Sequence, residues 1–371
     1  MHIIRAMHAL ARATALAADL PAHTAAHEEH KRLALPVVSA LIGNGLLDLL
    51  LPHELGGSEV TPTDYIAVLE TLAAGDAATA WCVMTASTST LLASYLPREG
   101  ALQIWNGTPQ FLAGVFAPGG KAVPEGDGVR LTGRWPFASG SRHASWFAVG
   151  AVMGTPPKHV VCIVPEDQVT ILDNWDTLGL PGTGSHDAVI EGVLVPNARI
   201  GSVFGATPWT AGTLARVPLF GLLALGISAV GLGIARGALE HLATRLTPKP
   251  GAEPPPGAAL ASYARLVGRL TAARAHLETA ARGAQERASA GPVDAVGRAE
   301  LRIAACLVAE ECAAIGRSAF HLGGGAAIRT GSPLNRALRD LETVLSHRMV
   351  ADRVLPAAGR ALLGLGAPPD L

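Results

Sequence analysis

The spacing of apolar positions changes twice along the chain, and each change marks a different kind of element. Over residues 1–110 apolar side chains recur every three or four positions, as in "ALPVVSALIGNGLLDLLLP" (residues 34–52) and "TPTDYIAVLETLAAGDAATAWCVMTAST" (residues 61–88). That period predicts helices, and Thr61 followed by Pro62 supplies a cap and a first-turn proline for the second stretch. Over residues 111–205 the period falls to two, in "VRLTGRWPF", "SWFAVGAVM", "HVVCIVP", "VTILDNW" and "AVIEGVLVP", separated by Gly, Pro, Asp and Asn. This predicts an all-β unit. Over residues 206–371 helices return, broken by "TPKPGAEPPPGA" (residues 247–258), whose prolines cannot stay in a helix and predict an exposed loop between two helices.

Two segments bear on a membrane. "VPLFGLLALGISAVGLGIA" (residues 217–235) runs for nineteen residues without a charge, long enough to span a bilayer. It contains Pro218 and four glycines, lacks an aromatic belt, and leads into the amphipathic "RGALEHLATRL". A central buried helix of a bundle is therefore expected. The Ala-rich N-terminal "MHIIRAMHALARATALAADL" has no uninterrupted apolar core and no clear cleavage site, which predicts a first helix and not a signal peptide.

Composition narrows the partners. Hydrophobic residues make up 49% of the 371 and charged residues 16%, a core-rich globular chain. The net charge of -1 and the absence of a basic block argue against nucleic acid or an anionic membrane and leave a small molecule as the expected ligand. Cys82, Cys162, Cys306 and Cys312 lie far apart with no CxxC spacing, so neither a zinc site nor a disulfide framework is expected, and a reducing cytoplasm fits. His23, His27 and His30 in "HTAAHEEH" share a helix face but lack an HExxH pattern or further ligands, so no metal is expected.

Candidate chemistry concentrates in three places. "GRWPFASGSRHASW" (residues 133–146) begins as a strand and ends in aromatic, hydroxyl, glycine and imidazole groups, each of which needs a polar partner if buried. "LGLPGTGSHD" (residues 178–187) is glycine-rich but has no GK[ST], and by itself reads as a turn between strands. "SPLNRALRDLETVLSH" (residues 332–347) predicts a helix capped by Ser332 with Pro333 in its first turn. On it Leu338, Leu341 and Leu345 form an apolar stripe, and Arg336, Asp340, Thr343 and His347 form a polar one. That polar stripe suits either a solvated face or the wall of a polar site.

The order helices, β unit, helices, together with "LLPHELGGSEV", "LETLAAGDAATAW", "GRWPFASGSRHASW", "WDTLGLPGTGSHDAVIEGVLVP" and "FHLGGGAAIRTGSPLNRALRDLETVLSH", resembles the acyl-CoA dehydrogenase superfamily and its two-component flavin-dependent monooxygenase branch. The resemblance implies an α+β fold: an N-terminal α-helical domain (1–110), a middle β-barrel or sandwich domain (111–205) and a C-terminal four-helix bundle (206–371). It implies FAD or FMN, with FAD favoured, held by Phe116, Trp135, Phe137, Ser139, Gly140, Thr183 and Ser185, with Gly323 and Gly324 reaching the cofactor of a second subunit. It also implies catalytic roles for His347 and Ser139, a substrate pocket at Trp81, Ser89 and His347, and a homo-oligomer, dimer or tetramer.

Two departures shape the expected reaction. The dehydrogenases' catalytic glutamate lies in a YEGT-like run near this point, and here "LSHRM" replaces it. A histidine matches the oxygenase branch, in which reduced flavin and O2 form a peroxyflavin and an imidazole titrating near neutrality moves the proton. The alternative is a dehydrogenase or oxidase acting on a thioester, and a third reading is an assembly subunit without catalysis. Phenol-hydroxylating relatives carry a histidine where "AWCVMTASTST" has Ser89, so a different aromatic, a heterocycle, an amine or a thioester-bound substrate is expected, with Thr85, Ser87 and Thr88 as further candidate lining. No NAD(P)H fingerprint is present, which points to a separate NAD(P)H:flavin reductase.

Overall fold

Caps and prolines set where the helices begin. A computed structural model describes residues 2–108, 110–202, 206–368 and 371. Six helices come first: α1 (His2–Asp19), α2 (Thr24–His30), α3 (Leu35–Gly43), α4 (Pro62–Gly75), α5 (Ala77–Thr90) and α6 (Arg98–Ile104). The stretch that reads as one helix from residue 61 to 88 is two. Thr61 caps α4 by accepting from the Asp64 N–H, and the extended Asp76 ends it and caps α5 by accepting from the Thr79 N–H at 2.8 Å. Asp76 also accepts from Nδ1 of the buried His27, which ties α2 to the start of α5.

Seven strands follow: β1 (Leu112–Glu125), β2 (Gly128–Ala138), β3 (Trp146–Met153), β4 (Lys158–Pro165), β5 (Thr170–Ile171), β6 (His186–Pro196) and β7 (Ile200–Gly201). They form one mixed sheet in the order β5-β6-β2-β1-β3-β4-β7, with β1 and β3 parallel and every other pair antiparallel. β1 has no alternating pattern because its glycines answer to a different demand. A Cβ at Gly119 or Gly120, or at Gly133 opposite, would collide with the fully buried Trp135 indole, whose Nε1 donates to the Gly150 carbonyl at 2.7 Å.

The remaining helices are α7 (Leu219–Leu246), α8 (Gly257–Ala290), α9 (Ala295–Leu322), α10 (Pro333–Leu345) and α11 (Leu355–Leu362). Helix α7 is apolar on every side because α4, α5, α8, α9 and α10 all pack on it, and 83% of its most apolar stretch is buried in the protein. Its glycines permit close approach: a Cβ at Gly233 would overlap the Glu70 carbonyl oxygen of α4. The buried Glu70 carboxylate is held in turn by Arg274 of α8 and Arg236 of α7. The proline-rich segment after α7 is an exposed connection to α8, as its composition requires.

Helix α10 departs from its expected form in two respects. The Ser332 hydroxyl makes no cap hydrogen bond, and the helix stops at Leu345, so His347 lies in the turn beyond it. The core face is Leu334, Ala337, Leu341 and Val344, with Leu338 and Leu345 only half-buried, because α10 packs between α7 and α9 and not on one neighbour.

Candidate active site

A cavity of about 1190 Å³ opens where the sheet meets α5, the start of α7 and the end of α10. The turn after Trp175 closes one side of it. There Leu180 takes a positive φ, and the short Pro181–Thr183 turn is laid on α2 and α5, so that a Cβ at Gly182 would strike His27 and Ala78. Helix α10 fixes the same segment: Asp340 accepts from the Leu180 N–H at 2.6 Å and Arg339 donates to the Leu178 carbonyl at 3.1 Å. Arg336 leaves the expected polar stripe, pairing with Glu28 of α2 alongside Arg339. Thr343 lines the cavity, whereas Asp340 acts behind it.

Four polar side chains form one hydrogen-bonded chain along the cavity. Trp81 Nε1 donates to Ser139 Oγ at 3.1 Å, Ser139 and Ser185 hydroxyls lie 2.7 Å apart, Ser185 and Thr183 hydroxyls lie 2.7 Å apart, and Thr183 donates to the Leu180 carbonyl at 2.8 Å. A carbonyl only accepts, so the Thr183 proton is committed there. Each hydroxyl has one proton, so Ser185 must donate to Thr183 and Ser139 to Ser185. Ser139, already accepting from Trp81, therefore has one lone pair left and no proton to give.

His347 sits at the other end of this array, its ring edge-on to Trp81 at 5.6 Å between centroids. Burial, with the neighbouring charges of Arg348, Arg302 and Arg353, lowers its pKa to about 4. Nδ1 accepts from the Met349 N–H at 3.2 Å, so the neutral ring carries its proton on Nε2. The expected imidazole titrating near neutrality is corrected: burial among three arginines keeps it neutral, with its one ring proton on Nε2. Asp340, fully enclosed, is shifted the opposite way by desolvation, to about 7.

The aromatic walls include residues that sequence reasoning named and others that it did not. Phe116 packs edge-on to Phe220, and Phe137 packs edge-on to Trp175. Phe137 is 67% exposed and holds φ +68, a conformation a bulky side chain rarely adopts. The β2–β6 ladder is bulged between Trp135 and Ala138, which turns Phe137 out and Ser139 in. The strand end that opens into hydroxyl groups is thus a bulge at the cavity wall. Phe116, Trp135, Phe137, Ser139, Thr183, Ser185, Trp81 and His347 all line this single space.

Six expected positions do not. Ser89 is fully buried, donates to the Thr85 carbonyl within α5 and packs on Gly114, so its place in the substrate pocket is corrected; Thr85 lines the cavity instead. Ser87 and Thr88 likewise bond to backbone inside the helical unit. Gly140 stands behind the wall, donating to the Thr183 carbonyl at 2.8 Å with Phe111 where a Cβ would be. Gly323 and Gly324, at the end of α9, do not border their own chain's cavity. Trp175, Phe220, Leu223, His159, Arg348 and Arg353 line it without having been singled out, since no local motif distinguishes them.

Residues 4–100 match the family description "Acyl-CoA dehydrogenase, N-terminal domain" and residues 225–352 match "Acyl-CoA dehydrogenase, C-terminal domain". The chain belongs to the acyl-CoA dehydrogenase family. It is 30% identical over 91% of its length to indole-3-acetate monooxygenase of Pseudomonas putida, covering 89% of that protein. It is 28% identical over 91% of its length to the oxygenase component of the FADH(2)-dependent resorcinol hydroxylase of Rhizobium sp., covering 90% of it. The crystal structure of XiaF from Streptomyces sp., in complex with FADH2 and glycerol, shares the fold with a TM-score of 0.90 at 24% identity, over 100% of this chain and 98% of that one. Within the family the chain is a flavin-dependent monooxygenase, an oxidoreductase that uses reduced flavin and O2. The cavity's Glu342, the carboxylate nearest in sequence to the missing YEGT-like run, accepts from Nε and one terminal nitrogen of Arg317 at 2.6 and 2.8 Å.

Proposed function

We propose that the cavity seats the ring of a reduced flavin against Phe137, Ser139, Thr183 and Ser185, with a small aromatic or heterocyclic substrate beside Phe116, Phe220 and His347. The observation that carries this reading is the direction of the hydroxyl chain. Ser139 offers a lone pair and no proton, and reduced flavin has a ring N–H where oxidised flavin has a bare nitrogen. Only the reduced ring completes the chain without placing two lone pairs against each other. The exposed Phe137 and the half-buried Trp175 supply flat apolar surface for a flat ring.

A reduced flavin bound there supplies two electrons, with which dioxygen delivers one oxygen atom to the substrate and the other to water. The protein's part is to orient, to exclude solvent and to hold protons in place. Met84, Phe116, Phe220 and Leu223 keep the reacting space apolar. Trp81, aligned by Ser139, packs against His347 and fixes its ring, and the His347 Nε2–H donates to an oxygen at the reacting centre. His347 and Ser139 are the catalytic pair in this reading, and Trp81 and Thr85 border the substrate.

A separate NAD(P)H:flavin reductase supplies the reduced cofactor in a reducing cytoplasm, where the four free buried cysteines remain thiols. Gly323 and Gly324 reach the cofactor of a second subunit in a dimer or tetramer. The direct test is anaerobic titration with reduced and with oxidised flavin. Reduced flavin should bind at least about tenfold more tightly, and Ser139→Ala should narrow that ratio. Equal affinity, or tighter binding of the oxidised form, would overturn the reading. Turnover with labelled O2 and indole-3-acetate or resorcinol, the compounds in the relatives' names, then asks for label in the product.

A further inference from the structure

Two carboxylate and two guanidinium side chains line the cavity: Asp176, Glu342, Arg348 and Arg353. They do not cancel. Glu342 is neutralised by the bidentate Arg317, and Asp176, almost wholly in solvent, is paired with Lys31 at 3.2 Å. Arg348 and Arg353 are exposed, and among the described residues neither has an ion-pair partner. Behind them the buried Arg302 guanidinium donates to the Met349 carbonyl at 3.2 Å and holds the chain between them in place. Arg348 and Arg353 line the same cavity as His347, at the end of it formed by the turn after α10.

We infer that Arg348 and Arg353 bind the anionic group of the substrate, which is therefore an aromatic or heteroaromatic carboxylic acid. A cavity with apolar aromatic walls and two free guanidinium groups fits an amphipathic ligand in one orientation: the ring packs beside Phe116 and Phe220, and the carboxylate is held by the planar forks of the two arginines. Anchoring the acid end fixes which ring carbon faces His347, so the pair sets regiochemistry as well as affinity. This rests on the flavin reading given above. A cofactor phosphate has the same chemistry, but it is separated from the reacting ring by the ribityl chain, whereas these arginines flank His347.

Binding decides it without turnover. Affinities of the purified protein for 1-naphthylacetate and the isosteric neutral 1-naphthylacetamide are measured at low salt, with and without reduced FMN, alongside its affinities for reduced FMN and reduced riboflavin. The acid should bind about tenfold more tightly than the amide, and an Arg348→Gln, Arg353→Gln double variant should bring the ratio near one while leaving reduced FMN binding unchanged. Arg348→Lys, Arg353→Lys should retain part of the preference, which separates loss of charge from loss of fold. No preference for the acid in the unmodified protein, or a preference that survives the double glutamine change, would overturn the inference. So would a fall in FMN but not riboflavin affinity, which would assign the arginines to the cofactor phosphate. Failure of the flavin reading itself shows separately, as absence of flavin binding by the unmodified protein, because the acid-to-amide ratio is measured without flavin as well.

Discussion

At the scale of single residues, the site is built from groups whose protonation is set by enclosure. Asp340 makes the point most directly. Its carboxyl is fully enclosed on α10, accepts from the Leu180 N–H, and is pushed up to about 7 by desolvation. Between an unfolded pKa near 3.8 and the folded value, the folded state binds the proton that the unfolded state releases. Its contribution to stability therefore falls as pH rises through that window and is lowest above pH 7. Asp340→Asn keeps the acceptor for Leu180 and removes the buried charge. Relative to the parent, it should be near neutral at pH 4 and more stable at pH 8 by about 2–4 kcal/mol, measured by urea unfolding at both values. Asp340→Leu should cost about 1–3 kcal/mol at pH 4 by stranding the Leu180 N–H, and less at pH 8, where it too removes the buried charge. His347, Ser139, Thr183 and Ser185 line one cavity as the resemblance implies, whereas their motifs alone suit a turn or a solvated face equally well. Ser89 misled, since a helical serine that bonds its own i−4 carbonyl looks the same in sequence as one that faces a ligand.

At the scale of elements, the paired strands β2, β3, β4 and β6 follow from periodicity and the long helix α7 from its uncharged run, while β1 follows from neither. A strand carrying Pro118, Pro124 and three glycines has no alternation to read, and its composition makes sense only once the Trp135 indole lies across it. The division of residues 61–88 into α4 and α5 was hidden similarly, because Asp76 interrupts the helix without interrupting the hydrophobic period. Asp76 caps α5 and is the buried partner of His27, whose other ring nitrogen has no hydrogen bond among the described residues. Asp76→Ala should thus remove a cap and strand a buried imidazole together, lowering stability by about 2–4 kcal/mol by denaturant unfolding. Asp76→Asn, which still caps, should lose markedly less. Because α5 carries Trp81, the alanine change should also weaken flavin binding where the asparagine change does not. Equal losses in the two variants would mean that the cap contributes nothing.

At the scale of the molecule, the cavity has no wall of its own. The sheet gives Phe116, Phe137, Ser139 and Ser185, α5 gives Trp81 and Thr85, α7 gives Phe220 and Leu223, and the end of α10 gives Thr343 and His347. Local pattern could identify each of these elements, but their convergence depends on contacts far apart in sequence, such as Asp340 to Leu180 and Arg339 to Leu178. Occupying such a cavity links the helical units and the sheet, so ligand binding is expected to stabilise the whole chain and not one part of it. At a free flavin concentration about a hundred times Kd, linkage gives roughly 2.7 kcal/mol. For a chain of this size that is a rise in Tm of about 3–4 °C. Reduced flavin should give this shift anaerobically as one cooperative transition, and oxidised flavin at the same concentration should give distinctly less, because the Ser139 hydroxyl chain then faces a bare nitrogen. Calorimetry under argon with each redox form checks it. A shift confined to part of the transition would mean that the flavin sits on one unit alone, and no shift with either form would favour a chain that kept the fold without its chemistry.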